Sequence, residues 1–235
     1  MNSVSLSIIV PVLNEAATIQ TFLAELRDRT AGAEIVVVDG GSSDRTRDIA
    51  SSLCDHLVVT KRGRAMQMNV GAAAASGNTL WFLHADCQVP ENCIEKIELA
   101  LGNPETAGGF FRIRIPQRAV VYRLTDCFAH YAGLLLRMRF GDHGFFCRRA
   151  AFEAIGGFPN VPLMEDAEFF NRLRRIGRVE VLSSRLVISP RRYEQIGPMR
   201  LTLAYGLIAT LYALHVPLHF LAGLYQRTCT KHGHT

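Results

Sequence analysis

The chain has 235 residues, 49% apolar and 20% charged, with a formal charge of +5 and a pI near 9.0. That length suits one large domain, or a domain with an appendage, and can bury a sizeable core. The basic balance suits a phosphate-bearing substrate or an anionic membrane surface. No basic run interleaved with aromatics accompanies it, which argues against nucleic acid.

Cys54, Cys87, Cys93, Cys127, Cys147 and Cys229 lie far apart with no CxxC pair, against a zinc site and a disulfide framework, so the expected compartment is a reducing cytosol. Residues 1–10 lack a basic n-region and a cleavage site. The segment 5–10 therefore reads as a strand and not a signal peptide. Pro11 stops that strand, because it cannot donate to a ladder. Asn14 is expected to cap the next helix, with Glu15 in its first turn and Ile19, Phe22, Leu23 and Leu26 on one buried face. A β-branched run over 34–39 predicts a central strand. The loop 39–44, Asp-Gly-Gly-Ser-Ser-Asp, leads into a helix reaching about Ser52.

A short strand over 57–60 precedes the basic loop Lys61-Arg62-Gly63-Arg64. An Ala-rich helix over 65–76 is expected to end on Gly77 as its left-handed cap. Residues 79–83 form an apolar run that ends in His84-Ala85-Asp86, and a helix spans about 91–101. The alternation of strands and helices over the first hundred or so residues implies a doubly wound, mostly parallel sheet. Beyond it, strands are expected over 110–115, 145–147, 179–182 and 187–189. Helices are expected over 122–138, 149–155 and 167–176. No repeat or low-complexity segment interrupts the chain.

Polar residues gather at the ends of the apolar strands, where an open α/β sheet meets its ligands. Asp86 is suited to a divalent ion that holds a phosphorylated substrate, or else caps a turn. Asp39 ends a buried strand and needs a partner such as a base or a ribose. Asp44 reads equally as a helix cap or a ribose contact. Arg62 and Arg64 suit a phosphate or a pyrimidine carbonyl, or else form a solvated basic turn. Gln67 and Asn69 either orient the base or sugar or form a polar helix face. Asp142 stands in a Gly-flanked loop, while Glu165 and Asp166 open a helix whose N-terminus favours ionised carboxylates. One of that pair can be structural and the other a general base.

Five segments occur in order: Pro11-Val12-Leu13-Asn14-Glu15, Val38 through Asp44, Asn69-Val70-Gly71 through Gly77, Phe82 through Asp86, and Glu165-Asp166. Together they resemble family 2 glycosyltransferases of the GT-A fold over residues of about 5–190. The run 63–71, Gly-Arg-Ala-Met-Gln-Met-Asn-Val-Gly, is similar to a bacterial branch described as selenodomain-associated or arsenosugar-type transferases. The resemblance implies a Rossmann-like, mostly parallel sheet flanked by helices. It implies a catalytic domain over 1–198, with a nucleotide-sugar half to about 105 and an acceptor half from about 106. A hydrophobic helical tail over 199–235 would follow.

It further implies inverting transfer from a nucleoside diphosphate sugar, first of all a UDP-sugar, to an acceptor hydroxyl on a lipid or small molecule. Pro11, Glu15, Asp39, Asp44, Arg62, Arg64 and Asn69 would hold the donor. Asp86 would bind Mn²⁺ or Mg²⁺, Asp166 would be the base with Glu165 beside it, and Asp142 and His143 would face the acceptor. His84 replaces the first Asp of the family's DxD motif, leaving one fewer carboxylate for the metal. Two alternatives stay open: a nucleotide-sugar-binding protein that has lost catalysis, and a nucleotidyltransferase. The segment 201–225 carries no residue charged at neutral pH. It reads as an interfacial helix or hairpin, a homodimer contact, or plain packing on the domain, ahead of a true span. Arg191, Arg192 and Arg200 before it suit anionic lipid. The expected location is cytoplasmic, with peripheral contact on the inner face of the membrane.

Overall fold

A computed structural model describes residues 5–116 and 143–229. The expected helix over 122–138 and Asp142 lie outside the described residues. Among the described residues the centre is an eight-stranded sheet in the order β3-β2-β1-β4-β7-β6-β8-β5. Strands β1 (Leu6–Val12), β2 (Glu34–Asp39), β3 (His56–Val59) and β4 (Thr79–Phe82) make its parallel half. Next to β4, strand β7 (Phe146–Arg148) runs antiparallel to both β4 and β6 (Thr106–Arg114). Strand β8 (Arg178–Ile188) lies parallel to β6, and the two-residue β5 (Cys87–Gln88) pairs antiparallel with its end. The sheet is thus mixed α/β, mostly parallel, as the alternation in the sequence implies.

Successive side chains of a strand point to opposite faces, and β1 shows why its whole run is apolar. Ile8 and Val10 enter one core with Ile35, Val37 and Trp81, under α1 (Ile19–Arg29) and α4 (Cys93–Leu101). Ile9 enters the other core with Val36, Val38, Leu80 and Phe82. Helices α3 (Arg64–Ala74), α5 (Arg149–Ala154) and α6 (Glu165–Ile176) supply residues to that second face. A sheet covered on both sides has no polar face to show. The second core is rich in aromatics. Phe158 and Phe169 stack with centroids 4.0 Å apart, and Phe82 meets Phe158 edge-on at 4.9 Å. Burying each such ring contributes roughly 1.5–3 kcal/mol.

Several local expectations are corrected. Asn14 does not cap α1, which begins four residues later than that role requires; Asn14 sits in the left-handed region at φ 54. Its Oδ1 instead accepts from the Ser43 amide at 2.9 Å, and its own amide donates to Ser42 Oγ at 2.9 Å. Glu15 therefore precedes the helix rather than lying in its first turn. Gly77 is not a left-handed cap either, since α3 ends at Ala75 in an extended conformation. Gly77 is required by close approach: a Cβ there would meet Ser7 Oγ at 2.5 Å and Ser5 O at 2.6 Å. The strands expected over 179–182 and 187–189 are one strand, β8, carried across a register shift against β6. Helix α4 begins only at Cys93, because Asn92 adopts φ 55.

Past β8 the chain forms a short helix α7 (Arg191–Ile196), then α8 (Pro198–Ala213) and α9 (Leu218–Cys229). The last two pack on each other and on the ends of β6, β8 and α6 through Ile115, Ile188, Met164 and Leu201. Among the described residues no helix is long and apolar enough to cross a membrane.

Candidate active site

A cleft of about 550 Å³ opens at the carboxyl ends of β1 and β4. Its floor is Pro11–Leu13 from β1 and the segment 83–87 that follows β4. The loop entering α3 gives one wall, and the end of β8 with α7 gives the other. Tyr205 of α8 and Cys229 of α9 reach it as well.

Asp86 is exposed in this cleft, as a residue offering an oxygen ligand must be. Its carbonyl accepts from the Ser189 amide at 3.1 Å, which pins the segment after β4 to the end of β8. Glu15 also lines the cleft, and Arg191 spans to it from α7 with a two-pronged contact. Nη2 donates to Oε1 at 2.9 Å and Nη1 to Oε2 at 3.2 Å. The Thr18 hydroxyl donates to Oε2 at 3.0 Å. The carboxylate of Glu15, and secondarily that of Asp86, hold the Arg191 guanidinium above the ordinary arginine pKa. Arg192 lies over the Tyr205 and Tyr225 rings, 5.8 and 5.1 Å from their centroids, and donates to Tyr225 Oη. Burial lowers its pKa, but the two tyrosines outweigh this, while the nearby charge of Arg64 opposes them.

Arg62, Arg64, Arg191 and Arg192 thus border one cleft that holds the acids Glu15 and Asp86. Such a surplus of guanidinium focuses a positive field on a concave site and suits a diphosphate. Arg191 and Arg192, read in the sequence as suited to anionic lipid, both border this cleft. The sequence signal for them was an Arg-Arg doublet just past the last strand, where a β8 end aims its next residues at the sheet edge.

The other expected site residues divide. Asp39 is fully buried; its Oδ2 accepts from the Gly41 and Ser42 amides, both at 2.9 Å, and lies 3.9 Å from Arg47 Nε. Its Oδ1 is buried and has no hydrogen-bond partner among the described residues. Asp39 does not line the cleft, although Val12 and Gln67, which brace the end of β2, do. Gln67 Nε2 donates to Val12 O at 3.0 Å and to Val38 O at 2.9 Å, so its amide closes the gap between two strands. Asn69 is placed elsewhere: its Nδ2 donates to Phe158 O at 2.8 Å and its Oδ1 accepts from Phe158 N at 2.9 Å. That pairing holds α3 to the turn before α6 and leaves Asn69 off the cleft lining. Asp44 is exposed and ties two loops together, accepting from the amides of Thr46 at 3.0 Å and Ala16 at 3.2 Å. The Thr46 hydroxyl above all draws its pKa below the ordinary value.

Asp166 is buried in the first turn of α6. With Phe158 it borders a narrow crevice that shares Pro11, Leu83 and His84 with the cleft. Glu165 borders neither space. His143 is buried, with Nδ1 2.9 Å from Phe111 O and its ring edge-on to Phe110. It serves β6 packing here, not the cleft lining.

Among the described residues no three His, Cys, Asp or Glu side chains gather as a ready-made metal cage. A hard ion that keeps several waters and takes oxygens from a substrate diphosphate needs only one or two protein carboxylates. Asp86, with His84 two residues before it on the same cleft, fits that kind of site.

The family model for glycosyl transferase family 2 matches residues 7–155. A PGL/p-HBAD biosynthesis glycosyltransferase of Mycobacterium bovis is 32% identical over 161 residues, covering 65% of this chain and 62% of that protein. The match thus spans less than two thirds of such relatives. In fold, the chain is similar to a Pyrobaculum calidifontis mannosyltransferase solved with GDP-Man and Mn²⁺, at TM-score 0.66 and 21% identity over 96% of this chain and 70% of that one. It is also similar to Mycobacterium tuberculosis glucosyl-3-phosphoglycerate synthase solved with Mn²⁺, UDP and phosphoglyceric acid, at TM-score 0.63, 18% identity, 92% and 80% coverage.

Proposed function

The chain belongs to glycosyl transferase family 2, and from that premise we propose that it moves a sugar from a nucleoside diphosphate donor, first of all a UDP-sugar, to an acceptor hydroxyl with inversion. The observation that carries this reading is the cleft itself, which sets four guanidiniums against one exposed aspartate at the carboxyl edge of the sheet.

In this reading the diphosphate lies along Arg62, Arg64 and Arg191. Mn²⁺ or Mg²⁺ held by Asp86 would supply charge neutralisation at the leaving diphosphate. Asp166 takes the proton of the acceptor hydroxyl as its oxygen attacks the anomeric carbon. The bond from that carbon to the diphosphate breaks, and the nucleoside diphosphate departs with the electron pair. Asp166 stands in the first turn of α6, where a helix N-terminus favours a carboxylate. The acceptor is carried by a lipid or a small molecule, and the α8–α9 hairpin faces a membrane interface.

Release of nucleoside diphosphate from UDP-glucose, UDP-N-acetylglucosamine and GDP-mannose tests the proposal. Metal-dependent release from one of them is expected. Binding of the donor without release would instead favour a degenerate binding protein, and pyrophosphate release from a nucleoside triphosphate would favour a nucleotidyltransferase.

A further inference from the structure

The hairpin made by α8 and α9 has two faces of different character. Inward, Leu201, Ala204, Ile208 and Leu221 are buried, and Tyr212 Oη donates to Glu168 Oε1 of α6 at 2.5 Å. Outward, Met199, Leu203, Leu207 and Leu214 are exposed, with Leu203 at 66% and Leu214 at 69%, and Phe220 of α9 at 64%. Met199, Leu203 and Leu207 recur every four residues, and Leu214 falls among them. At 3.6 residues per turn these four share an arc of about 80°. A stripe of large apolar side chains left in water is not explained by packing within the domain.

The formal charges carried by α8 and α9 themselves are of one sign. From residue 195 to 229 there is no Asp or Glu, while Arg200 and Arg227 are exposed. A second copy docked through the same face would bring arginines and no carboxylate of α8 or α9 to the seam, whereas an anionic lipid surface complements them. Helix α8 has 16 residues, about 24 Å of rise, short of the roughly 30 Å that a span requires. The geometry suits lying in the interface plane.

We propose that the exposed face of the α8–α9 hairpin docks on an anionic lipid surface. Tyr205, which lines the cleft, lies about 200° round α8 from Leu203. The docked hairpin therefore places the cleft about one helix diameter, roughly 10 Å, above the membrane plane. That distance is within the headgroup layer. This consequence for the acceptor rests on the transferase reading; the docking itself does not.

Sedimentation of the full chain with phosphatidylcholine vesicles, and with vesicles holding 30% phosphatidylglycerol, tests it at low and high salt. Binding to the anionic vesicles alone is expected, weakening at least about tenfold at high salt. Leu203→Glu with Leu207→Glu should abolish it while nucleotide binding by calorimetry is kept. Arg200→Ser with Arg227→Ser, which removes no apolar surface, should also weaken it and guards against a folding artefact in the first variant. Equal sedimentation of parent and both variants would overturn the proposal. So would a dimer in light scattering that the Leu203/Leu207 variant loses, with no binding to either vesicle. Neither result would bear on donor turnover, which is measured separately.

Discussion

Arg191 of α7 and Glu15 of the first loop meet in a paired contact of 2.9 and 3.2 Å across residues 176 positions apart. The pair closes one end of the cleft and brings a guanidinium under the influence of Asp86. Arg191 is 48% exposed on its side chain, so the ion pair contributes under about 1 kcal/mol to folding. Its value lies in placing charge. Arg191→Gln should weaken nucleoside diphosphate binding about tenfold, equivalent to about 1.4 kcal/mol, with the melting temperature nearly unchanged. Calorimetry and a thermal melt on the same sample separate these.

Asp166→Asn keeps the size of the side chain and removes the base. Turnover should fall by roughly 10²–10⁴ while the donor KM stays within about twofold. Steady-state kinetics with a fixed acceptor read both. A variant with unchanged turnover would move the base elsewhere.

Asn69→Ala addresses a residue whose motif suggested donor binding and whose amide is engaged with Phe158. It should cost about 1–3 kcal/mol of stability by stranding the Phe158 amide and carbonyl. Donor affinity of the folded protein should hold. Denaturant unfolding and calorimetry provide the comparison.

Acid sensitivity follows from Glu34 and Asp55. Burial pushes Glu34 up, but hydrogen bonds from Ser7 and Ser76 and the nearby charge of His56 carry it below its ordinary value. Asp55 is likewise raised by burial and brought lower overall by the Ile35 amide and Arg27. A carboxylate lowered in the folded state adds stability that is present above its unfolded pKa and is lost as pH falls through the folded one. Unfolding free energy should therefore be level from neutral pH to about pH 5 and decline below it. In Asp55→Asn with Glu34→Gln the decline should be shallower, as measured by urea unfolding across pH.

The parallel half of the sheet was legible because its strands are apolar on both faces and its helices alternate with them. The position of Asp86 on the cleft was legible for the same reason: polar residues that close an apolar run mark the end of a strand. What escaped the sequence depends on contacts far apart in the chain. Nothing near Asn14 says that its carboxamide meets Ser43, and nothing near Gly77 says that Ser7 leaves no room for a Cβ. Gln67 and Asn69 sit two residues apart on one helix, yet one braces two strands at the cleft and the other holds a distant turn. Arg191 was visible as a charge but not as a wall of the cleft, because β8 had to be one long strand to deliver it there.

The most direct measurement is calorimetric titration of UDP, GDP and dTDP with and without Mn²⁺, on the parent and on Asp86→Ala. One nucleotide is expected to bind with metal dependence, and the variant to lose that dependence. Binding that is indifferent to Mn²⁺ and unchanged in Asp86→Ala would contradict it.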